Sequence, residues 1–272
     1  MCNDLFLFRD SLIHYTRYGT GSRLLFGLHG YGESARSFAF LEEALNSNDY
    51  TLIAIDLPYH GQTKWKGALF FKPRDLLILL EELARRVGHR EERWTILGYS
   101  MGGRVALHLL GLAPEKIQKL VLLAPDGLQM NPWYWLATQT KWGNRLFRYT
   151  MENPAWFFFL LRAGHTLKCV NPGIYKFTIR YIDDRKVRRD LYTRWTTMRA
   201  FRPHLSGVRD IIRTHNTPVA LVFGLYDRII LSKRGERFRK GIENQCSLRI
   251  LPTGHQLLQA SHLDLLLELI TS

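Results

Sequence analysis

Gly98-Tyr99-Ser100-Met101-Gly102-Gly103 sets a serine between two glycines in the pattern G-x-S-x-G. A strand-like run, Trp94 to Leu97, precedes it, and a helix-like run, Arg104 to Leu112, follows. A strand-to-helix turn this tight has no room for side chains at Gly98 and Gly102, and it lifts the serine hydroxyl above the sheet edge. The new helix starts at that point. Its unpaired N–H groups and positive dipole end therefore face any oxygen that carries negative charge. This is the setting of a nucleophile. The same turn also serves as plain structure in Rossmann-like sheets, so Ser100 needs a base, an acid and an oxyanion site in order to act.

The elements that must position such groups alternate along the chain. Leu5 to Arg9 and Leu12 to Tyr18 read as paired strands turning at Asp10-Ser11. Further strands are expected over 23–28, 51–55, 93–97, 119–124, 218–223 and 246–251. Helical spacing covers 37–45, 232–240 and 257–270, and Pro73 opens a helix reaching about Val87. Strands alternating with helices predict an α/β fold with a mostly parallel sheet and right-handed crossovers. Ligands of such sheets bind outside the carboxyl ends of the strands. The loops at those ends carry His29-Gly30-Tyr31-Gly32, Asp56 to Gly61, Pro125-Asp126-Gly127, Gly224-Leu225-Tyr226-Asp227 and Pro252-Thr253-Gly254-His255.

The rhythm breaks between Asn131 and about Arg213. That stretch reads as aromatic, basic helices interrupted at Asn153-Pro154 and Asn171-Pro172-Gly173. From Met130 to Arg213 there are sixteen Lys/Arg against five Asp/Glu, a net +11 of the chain's +14, and five of the seven tryptophans. The chain therefore divides into a core over 1–127, an inserted helical segment over 128–213 and a second core part over 214–272. No internal repeat or low-complexity tract is visible.

The 272 residues, 46% of them hydrophobic, suit one large α/β domain with an insertion. No apolar run approaches the roughly 18 residues that span a bilayer. The N-terminus lacks the basic and apolar regions of a secretory signal. Cys2, Cys169 and Cys246 form no C-x-x-C pair, which fits a reducing cytoplasm and implies neither a disulfide framework nor a zinc site. No metal or organic cofactor is expected. The basic run Arg185-Lys186-Val187-Arg188-Arg189 reads first as a solvated face, and also as a means of steering an anionic small-molecule substrate. No nucleic-acid motif accompanies the charge, so nucleic acid is not an expected partner. The sequence carries no signal for an oligomeric state.

Ser100, Asp227 and His255 each follow an expected strand, in the chain order Ser, Asp, His. With the loops above, this order resembles the α/β-hydrolase fold over nearly the whole chain, with the middle segment corresponding to the family's cap. The resemblance implies that Ser100 attacks an electrophilic carbonyl, that His255 relays the proton and that Asp227 orients the imidazole. It implies an oxyanion hole from the backbone N–H groups of Tyr31 and Met101. His29 would brace the oxyanion loop rather than act as a base. Asp126 is the alternative acid, since some members of the family place it there; the pattern around Asp227 fits better. His60 belongs to a loop resembling the family's D-x-P-G-H-G, with Tyr59 in place of the glycine. A serine at the elbow argues against haloalkane dehalogenase and epoxide hydrolase chemistry, which in this fold uses a carboxylate.

The resemblance implies a serine hydrolase acting on a carboxylic ester or a related acyl or carbon–carbon substrate. Two other readings stay open. Gly98 to Arg104 is similar to the elbow of the menaquinone-pathway lyase that makes succinyl-hydroxycyclohexadiene carboxylate. There the arginine contacts a substrate carboxylate and the triad abstracts a proton. Arg104 would then bind substrate; its plainer role is to pair with a nearby carboxylate. The third reading is a non-enzymatic binding module whose contact surface is the basic cap.

Overall fold

In the computed structural model, residues 2–89, 93–167, 175 and 182–272 are described. The strands are β1 (Cys2–Phe8), β2 (Ser11–Tyr18), β3 (Arg23–Leu28), β4 (Tyr50–Ile55), β5 (Trp94–Tyr99), β6 (Ile117–Leu123), β7 (Val219–Gly224) and β8 (Cys246–Leu251). The helices are α1 (Glu42–Asn46), α2 (Pro73–Arg86), α3 (Met101–Leu112), α4 (Pro132–Gln139), α5 (Lys141–Glu152), α6 (Ala155–Thr166), α7 (Arg185–Thr197), α8 (Leu205–His215), α9 (Ser232–Arg239) and α10 (Leu263–Thr271). Two compact units result. The first holds 1–67, 71–129 and 200–272; the second holds 68–70 and 130–199.

All eight strands lie in the first unit, in the order β1-β2-β4-β3-β5-β6-β7-β8. β1 with β2, and β2 with β4, are antiparallel; every later pairing is parallel. Each residue of β4, β5 and β7 is buried. That explains their unbroken apolar sequences, because a parallel sheet is covered by helices on both faces. Phe26 of β3 meets Trp94 of β5 edge-on at 5.1 Å, one of the contacts that fix the centre of the core.

Strand positions follow the sequence closely, as do the helix starts at Pro73 and Ser232; other helix starts depart from it. The segment 37–45 becomes a 3-10 turn over Ala35–Leu41 followed by α1. The last helix begins at Leu263 instead of residue 257. Leu257 and Leu258 are apolar at helical spacing, yet they are buried within the loop that follows His255. α8 packs on α3 and buries Val208 and Ile212 there, so it belongs to the first unit and the second ends at Arg199.

Asn131 caps α4 in the second unit, its side chain accepting from the Trp133 N–H at 2.9 Å, with Pro132 at the first helical position. Thr140 caps α5 through the Gly143 N–H at 3.0 Å. An aromatic cluster joins α4, α5 and α7: Trp195 lies 5.1 Å from Tyr134 and 5.7 Å from Phe147. The break expected at Asn153-Pro154 separates α5 from α6. The one expected at Asn171-Pro172-Gly173 lies outside the described residues.

The basic run of α7 is not uniformly solvated. Arg188 is buried and donates from Nε to the Met151 carbonyl at 2.9 Å and from a terminal nitrogen to the Ile182 and Asp183 carbonyls, each at 2.7 Å. A guanidinium can hold several carbonyls near a helix end in this way. Arg188→Met leaves those carbonyls without the donor. It should lower the unfolding free energy of this unit by about 2–3 kcal/mol. Urea denaturation followed by tryptophan fluorescence checks this, since five of the seven tryptophans lie in this unit.

Candidate active site

Ser100 has φ 48° and ψ −109°, a region that L-residues rarely occupy. Two glycines make that backbone accessible. A Cβ on Gly102 would lie 1.9 Å from the Leu28 carbonyl oxygen, and one on Gly98 would lie 2.8 Å from the Gly102 carbonyl oxygen. The Ser100 N–H donates to the Leu123 carbonyl at 2.8 Å, tying the turn to β6. Met101 opens α3, so its N–H belongs to the first-turn donors that have no acceptor within the helix.

Ser100, Asp227 and His255 come together at the carboxyl ends of β5, β7 and β8. His255 Nδ1 lies 2.7 Å from Asp227 Oδ2, and His255 Nε2 lies 3.2 Å from Ser100 Oγ. A carboxylate only accepts, so Nδ1 carries the imidazole proton and Nε2 is the lone-pair nitrogen facing the serine hydroxyl. Asp227 is buried, and its other oxygen accepts the N–H groups of Ile229 at 2.7 Å and Ile230 at 3.0 Å. Such bonds hold the carboxylate stationary. This arrangement can remove a proton from Ser100 and return it to a second group.

Asp126 does not meet His255. Its carboxylate lies 3.1 Å from a terminal nitrogen of the buried Arg104, and its N–H donates to the Ser100 carbonyl at 2.9 Å. Arg104 therefore faces the turn after β6. His29 is fully buried in the loop after β3: Nε2 accepts the Leu57 N–H at 3.1 Å, which leaves Nδ1 to donate to the Gly30 carbonyl at 2.7 Å. That fixes the backbone just before Tyr31. Tyr59 adopts φ 63°, the left-handed backbone suited to the glycine it replaces.

Three residues around His255 escaped the sequence reading. The Tyr99 hydroxyl donates to the His255 carbonyl at 3.2 Å and to Gln256 Oε1 at 3.0 Å, and Gln256 Nε2 donates to Glu33 Oε1 at 3.2 Å. Burial, with Glu33 and Asp227 nearby, holds the Tyr99 phenol protonated far above its ordinary range. Burial also raises the Glu33 carboxyl, partly offset by hydrogen bonds from Gln256 and the Gly30 backbone. A second buried carboxylate–imidazole pair joins the strand β2 to the loop after β4. Asp56 Oδ2 lies 2.7 Å from His14 Nδ1, while its Oδ1 accepts the Ala35 N–H at 2.6 Å. Among the described residues, no three His, Cys, Asp or Glu side chains gather as a metal site.

Residues 24–166, more than half of the chain, match the family described as alpha/beta hydrolase fold. The chain belongs to that family. The chain is 25% identical over 253 residues to the uncharacterized hydrolase YugF of Bacillus subtilis (strain 168), covering 89% of this chain and 87% of that protein. It is 34% identical over 113 residues to a pimeloyl-[acyl-carrier protein] methyl ester esterase of Salmonella newport, a match spanning 41% of this chain and 40% of that enzyme. A carboxylesterase structure from Nitrososphaera gargenis superposes with TM-score 0.67 at 15% identity, covering 97% of each chain. At that identity the likeness concerns the fold.

The half-buried Glu33 generates a pH-dependent expectation. Its carboxyl is raised in the fold, so ionisation destabilises the folded state at neutral pH. Glu33→Gln should therefore be more stable than the parent at pH 7. The advantage should shrink as pH falls through the raised folded-state value and vanish below the ordinary glutamate value of about 4.3. Thermal unfolding of both proteins across pH 4–8 reads the difference; a constant gap over that range contradicts it.

Proposed function

We propose that this hydrolase cleaves a carboxylic ester or a related acyl substrate, with Ser100 as nucleophile, His255 as general base and acid, and Asp227 as the orienting carboxylate. The observation that carries the reading is the unbroken chain from Ser100 Oγ through His255 to Asp227, with links of 3.2 and 2.7 Å. Ser100 Oγ attacks the carbonyl carbon as its proton passes to His255 Nε2. The negative charge that develops on the carbonyl oxygen is met by the N–H groups of Met101 and Tyr31. The tetrahedral species collapses, the bond to the alkoxy group breaks, and His255 returns the proton to the departing oxygen. Water, deprotonated by His255, then attacks the acyl-serine and regenerates the free hydroxyl. Asp227 stabilises the imidazolium formed in each half-reaction. Its two backbone donors stop it from rotating away.

The esterase named among the relatives supports an ester over other carbonyl substrates. The Arg104–Asp126 ion pair favours hydrolysis over the lyase reading, in which Arg104 would hold a substrate carboxylate. The hydrogen-bonded triad likewise speaks against a purely binding role.

Ser100→Ala should reduce kcat on a p-nitrophenyl ester by about a millionfold and abolish labelling by a fluorophosphonate. Asp227→Asn should cost about 10⁴-fold in kcat through the wrong imidazole tautomer. Asp126→Asn, which removes the alternative acid, should stay within about tenfold of the parent. The reading is wrong if folded Ser100→Ala retains turnover, or if Asp126→Asn and Asp227→Asn exchange their effects.

A further inference from the structure

We propose that the first unit carries an anion site, separate from the Ser100 site, for a phosphate-type dianion on a small molecule. α8 and α9 flank a cleft of about 160 Å³ lined by Arg209, Arg234 and Arg237 together with Gln129, Leu128 and Phe238. Arg234 and Arg237 stand three residues apart on α9, a spacing that puts both on one helix face. Arg209 reaches the same cleft from α8. Three arginine side chains therefore line one small volume.

Their charge is not neutralised from within. The neighbouring Arg213 pairs with Asp210 at 3.3 Å. Among the described residues, Arg209, Arg234 and Arg237 have no carboxylate within ion-pair reach. Glu236 falls between the two α9 arginines in sequence and projects from another part of the helix. The Nε of Arg234 is shut off from solvent and has no hydrogen-bond partner. That unmet donor shows that the protein's own groups do not satisfy the Arg234 guanidinium; its terminal nitrogens are the ones an anion in the cleft would meet.

The chemistry selects the ligand class. Guanidinium groups offer paired donors in a fixed fork, matched to oxygens of a carboxylate or phosphate. A single carboxylate has one charge and two oxygens for three such forks. A phosphate monoester brings nearly two charges and three terminal oxygens. The volume suits one compact head group, not a polymer backbone. Leu128 and Phe238 offer an apolar wall for a carbon substituent, and Gln129 an additional polar contact.

Titration calorimetry of the full chain with inorganic phosphate tests the site, against chloride at matched ionic strength. Saturable one-to-one binding is expected. It should weaken by about tenfold or more in Arg234→Gln and in Arg237→Gln, the loss expected for one charged hydrogen-bonding partner. Lys233→Gln removes an equal charge beside the cleft and should leave the affinity within about twofold. Circular dichroism and ester turnover identify any variant that has unfolded; Arg237, which is exposed, is the substitution least able to disturb the fold. Glycerol phosphate distinguishes the sources. Tighter binding than inorganic phosphate assigns a substituent to the apolar wall; equal binding assigns the phosphate group alone. The proposal is overturned if phosphate fails to saturate, if chloride competes equally, or if Lys233→Gln weakens binding as much as the cleft variants. Binding only of an acidic peptide, with phosphate inert, overturns it as well.

Discussion

β3 and β5 are neighbours in the sheet, and Leu28 sits opposite Gly98. The helix that leaves β5 must therefore start directly over the carboxyl end of β3. Only a residue without a side chain allows that start, because a Cβ at Gly102 would fall 1.9 Å from the Leu28 carbonyl oxygen. This contact sets the rest of the site. It forces the left-handed turn at Ser100, brings the first N–H groups of α3 beside the loop leaving β3, and so puts Met101 and Tyr31 on adjoining segments. An alanine at Gly102 would push α3 away from β3, which separates the two loops and relaxes the serine backbone together.

Around that contact, buried polar groups are held by specific partners instead of solvent. Asp227 has two backbone donors and the imidazole. His29 is fixed between the Leu57 N–H and the Gly30 carbonyl. Tyr99 and Gln256 hold the backbone and side-chain neighbourhood of His255 and pass that order on to Glu33. Removing a partner of the buried Asp227 or His29 costs more than the bond itself, because the remaining group stays buried and unsatisfied. The positions of the imidazole and of the loop after β3 are thus linked through Glu33, which belongs to that loop and hydrogen-bonds to the residue after His255.

Much of this was legible in the sequence wherever a local signal existed. Apolar runs located the strands to within three residues; β4, β5 and β7 are buried throughout, and a strand buried on both faces has no other composition available. The loops that bring Ser100, Asp227 and His255 together were readable because each is a short motif at a strand end. Contacts without a local signature were not readable. Glu33 and Gln256 are 223 residues apart, and neither departs from an ordinary loop residue in sequence. Arg188 sits in a run of five residues, four of them basic, and nothing in that run distinguishes the buried guanidinium from its solvated neighbours. α8 was grouped with the basic insertion because composition changes gradually there; its packing on α3 assigns it to the core.

The two carboxylates at strand ends show how the environment divides similar side chains between tasks. Asp126 follows β6 and lies next to the elbow helix, where Arg104 is buried one turn into α3. A buried guanidinium needs a counter-charge, and Asp126 is placed to provide it at 3.1 Å. Its N–H is meanwhile bound to the Ser100 carbonyl, so the residue braces the elbow from both its backbone and its side chain. Reaching His255 would require Asp126 to give up its ion pair with the buried Arg104. Among the described residues no Lys or Arg forms an ion pair with Asp227; one of its oxygens accepts two backbone N–H groups and the other faces the imidazole. That difference in obligations is why the carboxylate after β7, and not the one after β6, is assigned to the proposed base.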